Sequence, residues 1–191
     1  TTAIPAGPTA ATAVHTSASK ESRKSVRYEL YGDESQLPAI DALMRHDLSE
    51  PYSFYTYRYF LHTECNVSWL AFDGDSDTII GAIVCNVNDE RPHKPYRGYI
   101  AMLAVDPQHR KRGIGSSLVV HAVGSMRDYG CTQAYLETEH TNEAALRLYL
   151  NLGFVKDKLL ARYYLNGNDA FRLKLLLAPL PSVGAARSEL S

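Results

Sequence analysis

The sequence predicts an α/β fold, a mixed seven-stranded sheet with helices on both faces. Three observations predict it. Through the middle of the chain, apolar runs of strand length alternate with helical spacing, which implies a parallel pair there. On either side, strands follow one another through short polar turns, which implies antiparallel pairing. Between an apolar run and a helical pattern lies Asp106-Pro107-Gln108-His109-Arg110-Lys111-Arg112-Gly113-Ile114-Gly115. A glycine-rich turn at a helix start is a recipe for holding an anion, because the free N–H groups of the first turn and the helix dipole both favour negative charge.

The elements follow in order. Residues 1–24 are Ala, Thr, Ser and Pro with few large apolar groups, and are expected to be a disordered tail ahead of a domain over 25–178. Val26 to Tyr31 reads as a first strand. Ser35 to Leu48 has helical spacing, with Leu37, Ile40, Leu43 and Met44 on one side, Ser35 as cap and Pro38 in the first turn. A second helix is predicted over Tyr52 to His62, with Tyr55, Tyr59 and His62 near one face. Val67 to Phe72 and Thr78 to Val87 read as strands around the polar turn 73–77, and a charged loop with two prolines runs from Asn88 to Pro95.

Tyr99 to Val105 is the strand entering the glycine turn, and the helix after it buries Leu118, Val119, Ala122 and Met126. Ala134 to Glu139 alternates, with Leu136 and Thr138 on one face and Tyr135, Glu137 and Glu139 on the other. Asn142 caps a helix with Ala145, Leu148, Tyr149 and Leu152 as its apolar stripe, stopped by Gly153. Phe154 to Leu165 and Ala170 to Leu177 read as strands joined through Asn166-Gly167-Asn168-Asp169, a hairpin signal. The stretch 179–191 is expected to be a loose tail.

Composition narrows the function. A chain of 191 residues builds one core and hardly two. The net charge of -1 lacks the basic excess of a nucleic-acid binder. Cys65, Cys85 and Cys131 are widely spaced and odd in number, which is neither a disulfide framework nor a metal pattern, so a reducing compartment, cytoplasmic or nuclear, is expected. The seven histidines show no ligand spacing, and no metal is expected. No apolar run reaches the roughly 18 residues of a membrane span, and the N-terminus lacks the charged-then-apolar order of a signal peptide.

The turn is not a P-loop, since G-x-x-x-x-G-K-S/T is absent. Nor is it a dinucleotide fingerprint, because Leu118 stands where the third glycine would be. A pyrophosphate cradle for another compound, notably coenzyme A, is left. Arg110-Lys111-Arg112-Gly113-Ile114-Gly115 resembles the acyl-CoA motif R/Q-x-x-G-x-G/A of the GCN5-related N-acetyltransferase (GNAT) superfamily, and the element order resembles that fold. The stretches 50–60, 97–105, 136–139, 151–155 and 162–167 are similar to the catalytic-subunit family of NatC-type N-terminal acetyltransferases. The resemblance covers roughly residues 26–177.

That resemblance implies acetyl transfer from acetyl-CoA to the α-amine of N-termini that start with Met followed by Leu, Ile, Phe or Trp. It implies that Leu103, Ala104 and Val105 border the acyl-pantetheine arm, that residues Arg110, Lys111, Arg112, Gly113, Ile114, Gly115 and Ser116 hold the pyrophosphate, that Asn142 contacts the pantetheine region, and that Tyr149 approaches the sulfur as general acid. Which arginine meets phosphate stays open. Glu137 is the leading base, on the less apolar face of its strand, with Glu139 facing the same way as its competitor. Glu50, Pro51 and Tyr52 would form one wall of the peptide site, and Tyr163 and Tyr164 the other. The family further implies a large auxiliary subunit, a small Sm-like subunit and ribosome association through the complex. Three rivals stay open: a lysine or small-amine acetyltransferase of the same superfamily, a non-catalytic acyl-CoA-binding subunit, and a nucleotide-binding module.

Overall fold

The computed structural model of the chain describes residues 25–47, 52–63, 65–74, 76–88 and 96–177. Both predicted tails and most of the charged loop before Tyr96 lie outside these residues. Seven strands form one sheet in the order β1-β2-β3-β4-β5-β7-β6. They are β1 (Val26–Leu30), β2 (Trp69–Asp73), β3 (Ile79–Asn88), β4 (Arg97–Val105), β5 (Gln133–Glu139), β6 (Val155–Leu160) and β7 (Ala170–Leu176). Only β4 and β5 pair in parallel, and every other neighbouring pair is antiparallel. The helices α1 (Leu37–Asp47) and α2 (Phe54–Leu61) cover one face, and α3 (Ile114–Asp128) and α4 (Glu143–Asn151) the other.

Each face has its own core. Leu37, Ile40 and Met44 recur along α1 at helical spacing and meet Tyr57 and Leu61 of α2 over Leu70, Phe72, Ala82 and Val84. On the other face Leu118, Val119, Ala122 and Met126 of α3 pack on Ala71, Ile83, Cys85 and Ile100, with Leu146 and Tyr149 of α4. Leu146 was absent from the expected stripe. Tyr55 and Tyr59 are exposed.

Two local expectations are corrected. Asp33, not Ser35, caps the first helical region: its carboxylate accepts the Ser35 N–H at 2.8 Å and starts a short 3-10 turn, Glu34–Gln36, ahead of α1. The last hairpin is also wider than read. β6 ends at Leu160, and residues 161–169 form a loop in which Gly167, at φ +83°, closes a turn by donating to the Tyr164 carbonyl.

The register of β4 decides where the site lies. Val84 pairs with Met102 and Cys85 with Ile100, so Ala101 is one residue too many for β3. The bulge turns Ala101 and Met102 to the same core while Ile100 faces the other. Bulged strands bend, and pairing of β4 with β5 runs from Arg97↔Gln133 through Tyr99↔Tyr135 and no further. Beyond Tyr99 the two parallel strands part, and a gap opens between the two faces of the sheet.

Candidate active site

At one end of the gap the chain leaves β4 through the basic turn. Asp106 accepts the Gln108 N–H at 2.8 Å, which folds Pro107–His109 into a short 3-10 turn. Lys111 (φ +59°) and Gly113 (φ +82°) are both left-handed, and Gly113 is the N-cap of α3. The Ser117 N–H bonds to the Gly113 carbonyl, so the N–H groups of Ile114, Gly115 and Ser116 precede the helical ladder. Beyond its own chain neighbours, no described atom lies within 4 Å of where a Cβ on Gly113 would sit. These features fit a phosphate group resting on backbone donors.

The other members of the turn have different work. Arg110 donates through Nε to the Val105 carbonyl at 3.1 Å and ties the turn to its strand. The Ile114 side chain is buried in the core. A Cβ on Gly115 would stand 3.1 Å from Leu148, so this glycine lets α3 start close against α4. Lys111 is exposed, and Arg112 is half-buried.

Along the gap, backbone alternation sorts β4. Asp106 donates its N–H to the Ile80 carbonyl of β3 at 2.9 Å. Two residues back, Ala104 must also turn its polar groups to β3, opposite Ala82. Leu103 and Val105 then aim theirs at the gap, with the Val105 carbonyl taken by Arg110. Of the three β4 residues expected beside the cofactor, Ala104 thus turns its backbone groups to β3, while Leu103 and Val105 keep theirs for the gap. Asn142 uses its side-chain oxygen to cap α4 through the Ala145 N–H at 3.0 Å. Tyr149 is 5% exposed, with Phe154 edge-on at 5.3 Å. Burial first, and then Cys85 and Tyr164, push its hydroxyl above the usual tyrosine range, so it keeps its proton at neutral pH.

At the far end, on the α1–α2 face, sits Glu137. Its side chain is 4% exposed, and Arg172, its cross-strand partner on β7, donates Nε to Oε1 at 2.7 Å. The Tyr99 hydroxyl is pushed far up by burial, then by the charge of Glu137, with Tyr163, a hydrogen bond to Glu137 and Tyr52 following. Burial also raises Tyr163, with Glu137 and Tyr52 adding to it and Arg172 and a hydrogen bond with Tyr99 opposing. Tyr52 is felt by Tyr99, Tyr163 and Tyr164 alike, so the start of α2 and the 161–169 loop converge over this carboxylate. Glu50 and Pro51 lie outside the described residues.

Glu139 is engaged elsewhere. Its two oxygens accept from Asn166 Nδ2 at 3.2 Å and Thr141 Oγ1 at 3.5 Å, which pins the 161–169 loop to the end of β5. His140 joins this pinning, its backbone N–H donating to the Asp169 carbonyl at 3.0 Å. Sequence reasoning missed Tyr99, Arg172 and Tyr135. The Tyr99 and Tyr135 rings lie 5.0 Å apart, tilted by 34°, at the last paired rung, as a floor to the gap, and Arg172 lies 5.8 Å over Tyr135. An aromatic on each parallel strand was the available signal for the first two. Arg172 carried none, since its place opposite Glu137 is a matter of register.

Comparison with known proteins agrees with this geometry. The model of the Acetyltransferase (GNAT) family matches residues 37–154. The chain is 53% identical to human N-alpha-acetyltransferase 30 over 156 residues, 81% of this chain but 42% of that protein, so it spans less than half of that relative's length. It is 48% identical to N-alpha-acetyltransferase MAK3 of Arabidopsis thaliana, covering 83% of this chain and 80% of the relative. Among solved structures, a chain of the NatC complex bound to Gag peptide and CoA superposes with a TM-score of 0.76 at 42% identity, covering 80% of this chain and 99% of the other.

Proposed function

The chain belongs to the acetyltransferase (GNAT) family, and from that premise we propose that it moves acetyl from acetyl-CoA to the α-amine of protein N-termini beginning with Met and a hydrophobic residue. The observation that carries this reading is the gap itself. It connects free N–H groups of a helix start, suited to a pyrophosphate, with a buried carboxylate under a tyrosine canopy.

Acetyl-CoA supplies the activated acyl group, and the residues of the chain do the rest. The first turn of α3 receives the pyrophosphate. The Leu103 N–H, turned to the gap, donates to the carbonyl oxygen as it gains charge. An N-terminal amine has a reference pKa of about 7.7 to 8.0, so its deprotonation needs only a modest acceptor. Glu137 takes that proton, directly or through water, as the new C–N bond forms. Tyr149, kept protonated by burial, gives a proton to the thiolate as the C–S bond breaks. No covalent enzyme intermediate is needed, because none of the cysteines is paired with a base: Cys85 is buried with its thiol pushed up by desolvation, and Cys131 is pushed up to about 11.

The acceptor end supports an apolar second residue. Tyr52 and Tyr163 are partly exposed aromatic rings, and Tyr163 and Tyr164 stand edge-on at 5.2 Å, giving apolar surface with hydroxyls for an extended backbone. The 42% identical chain comes from a NatC complex, and this chain fits the same place: a catalytic subunit working with a large auxiliary subunit and a small Sm-like subunit, on nascent chains at cytoplasmic ribosomes. Acetylation of Met-Leu, Ser-Ala and internal-lysine peptides, with and without auxiliary subunits, tests the reading. Met-Leu should be preferred by a wide margin. Best turnover on Ser-Ala would remove the NatC-type specificity, and best turnover on internal lysine would remove N-terminal acetylation altogether.

A further inference from the structure

Glu137 is unusual among the described carboxylates in being almost sealed from water while bordering the gap. A carboxylate taken out of water needs hydrogen-bonding partners to make up for the solvent it has lost. The groups facing it are tyrosines, Tyr99 and Tyr163, both raised first by burial and then by its negative charge, with Tyr52 beyond them. Arg172 supplies the positive charge. It lies directly opposite on β7, holds one carboxylate oxygen at 2.7 Å, and its side chain is 34% exposed. It also spans the Tyr135 ring, which borders the same floor as Tyr99.

We propose that Arg172 is a positioning residue for acetyl transfer, holding the Glu137 carboxylate in place and aimed into the gap between β4 and β5. The proposal rests on reading the site as an acetyltransferase. Arg172 exchanges no proton: the amine proton goes to Glu137, and the guanidinium stays charged throughout. The oriented Nε contact holds one carboxylate oxygen from the β7 side, while Tyr99 meets the same carboxylate from β4. A neighbouring ion pair, Lys174 to Asp157 at 3.3 Å, lies one rung-pair further along β7 and away from the gap. It serves as a control for loss of a cross-strand charge alone.

The experiment measures kcat and both KM values on a Met-Leu peptide for the wild type, Arg172→Met, Arg172→Lys, Glu137→Gln, the Glu137→Gln/Arg172→Met double variant and Lys174→Met. Misplacing a reacting group costs about tenfold to a hundredfold, so Arg172→Met should lose that much kcat with the KM for acetyl-CoA unmoved. Arg172→Lys should recover part of the loss, and Lys174→Met should match the wild type. The double variant should be no slower than Glu137→Gln, because Arg172 acts through that carboxylate. Losses that multiply in the double variant would overturn the proposal, as would a Lys174→Met defect of equal size. If the wild type acetylates no amine, the functional reading fails on its own. A crystal structure of Arg172→Met then decides: a displaced Glu137 carboxylate supports the positioning role, and an unmoved one overturns it.

Discussion

The two ends of the gap are built by different means. The cofactor end is one continuous stretch, Asp106 to Ser116, and it works through backbone: left-handed residues at 111 and 113 and unpaired N–H groups at the start of α3. The acceptor end is assembled from side chains on β4, β5, β7, the 161–169 loop and the segment leading into α2, far apart in the chain. Backbone donors need only a local turn to be placed. Side-chain chemistry needs strand register, and the bulge at Ala101 that parts β4 from β5.

This contrast can be broken in graded steps. Glu137→Gln should have the largest effect, lowering kcat by about a hundredfold to ten-thousandfold, the range of general acid–base catalysis, with acetyl-CoA affinity by calorimetry unchanged. A rate near wild type from about pH 6 to about pH 9 would make bulk solvent or another group the base. Gly113→Glu attacks the other end. A like charge at a phosphate site and a side chain forced to φ +82° should weaken acetyl-CoA by roughly a hundredfold or more while thermal stability falls by only about 1 kcal/mol. Near-wild-type affinity would displace the pyrophosphate from this turn.

Smaller effects test the middle and the rim. Tyr149→Phe keeps the ring packed on Phe154 and removes only the hydroxyl, so kcat should fall by about tenfold to a hundredfold without loss of fold. An unchanged kcat would make Tyr149 a core residue alone. Glu139→Gln should be mildest. It loosens the hold on Asn166 and the loop that carries Tyr163, so peptide KM should rise a few-fold, on the scale of one exposed hydrogen bond of about 1 kcal/mol, with kcat preserved. A collapse of kcat instead would exchange the roles of the two glutamates.

Tyrosine burial adds a pH dependence to the same contrast. Tyr99, Tyr149 and Tyr164 have folded-state values raised above the usual 10.0. Their contribution to stability is complete below about pH 10 and is lost as pH rises above it, where the unfolded chain gives up protons that the native state retains. Melting temperatures should therefore be insensitive to these groups near neutrality and fall above about pH 10. Substituting Phe for Tyr164 should flatten that fall, whereas the glycine turn should not influence it.

Much of this was legible along the chain. The apolar alternation of β4 and β5, the helical stripes of α1, α3 and α4, the Asn142 cap and the glycine turn are short-range patterns, and short-range patterns are set by backbone sterics and by which side chains avoid water. The alternation also placed Tyr135, Glu137 and Glu139 on one face, as observed. It could not separate the two glutamates, since both satisfy the same period. Only the folded chain decided that Glu137 is sealed against Arg172 while Glu139 pins a loop. Tertiary structure likewise decided that Ala104 turns to β3, that Tyr99 floors the gap, and that β4 and β5 part after one short run of pairing. Those facts depend on which residues of distant strands stand opposite one another, and a one-residue shift in register would change every one of them.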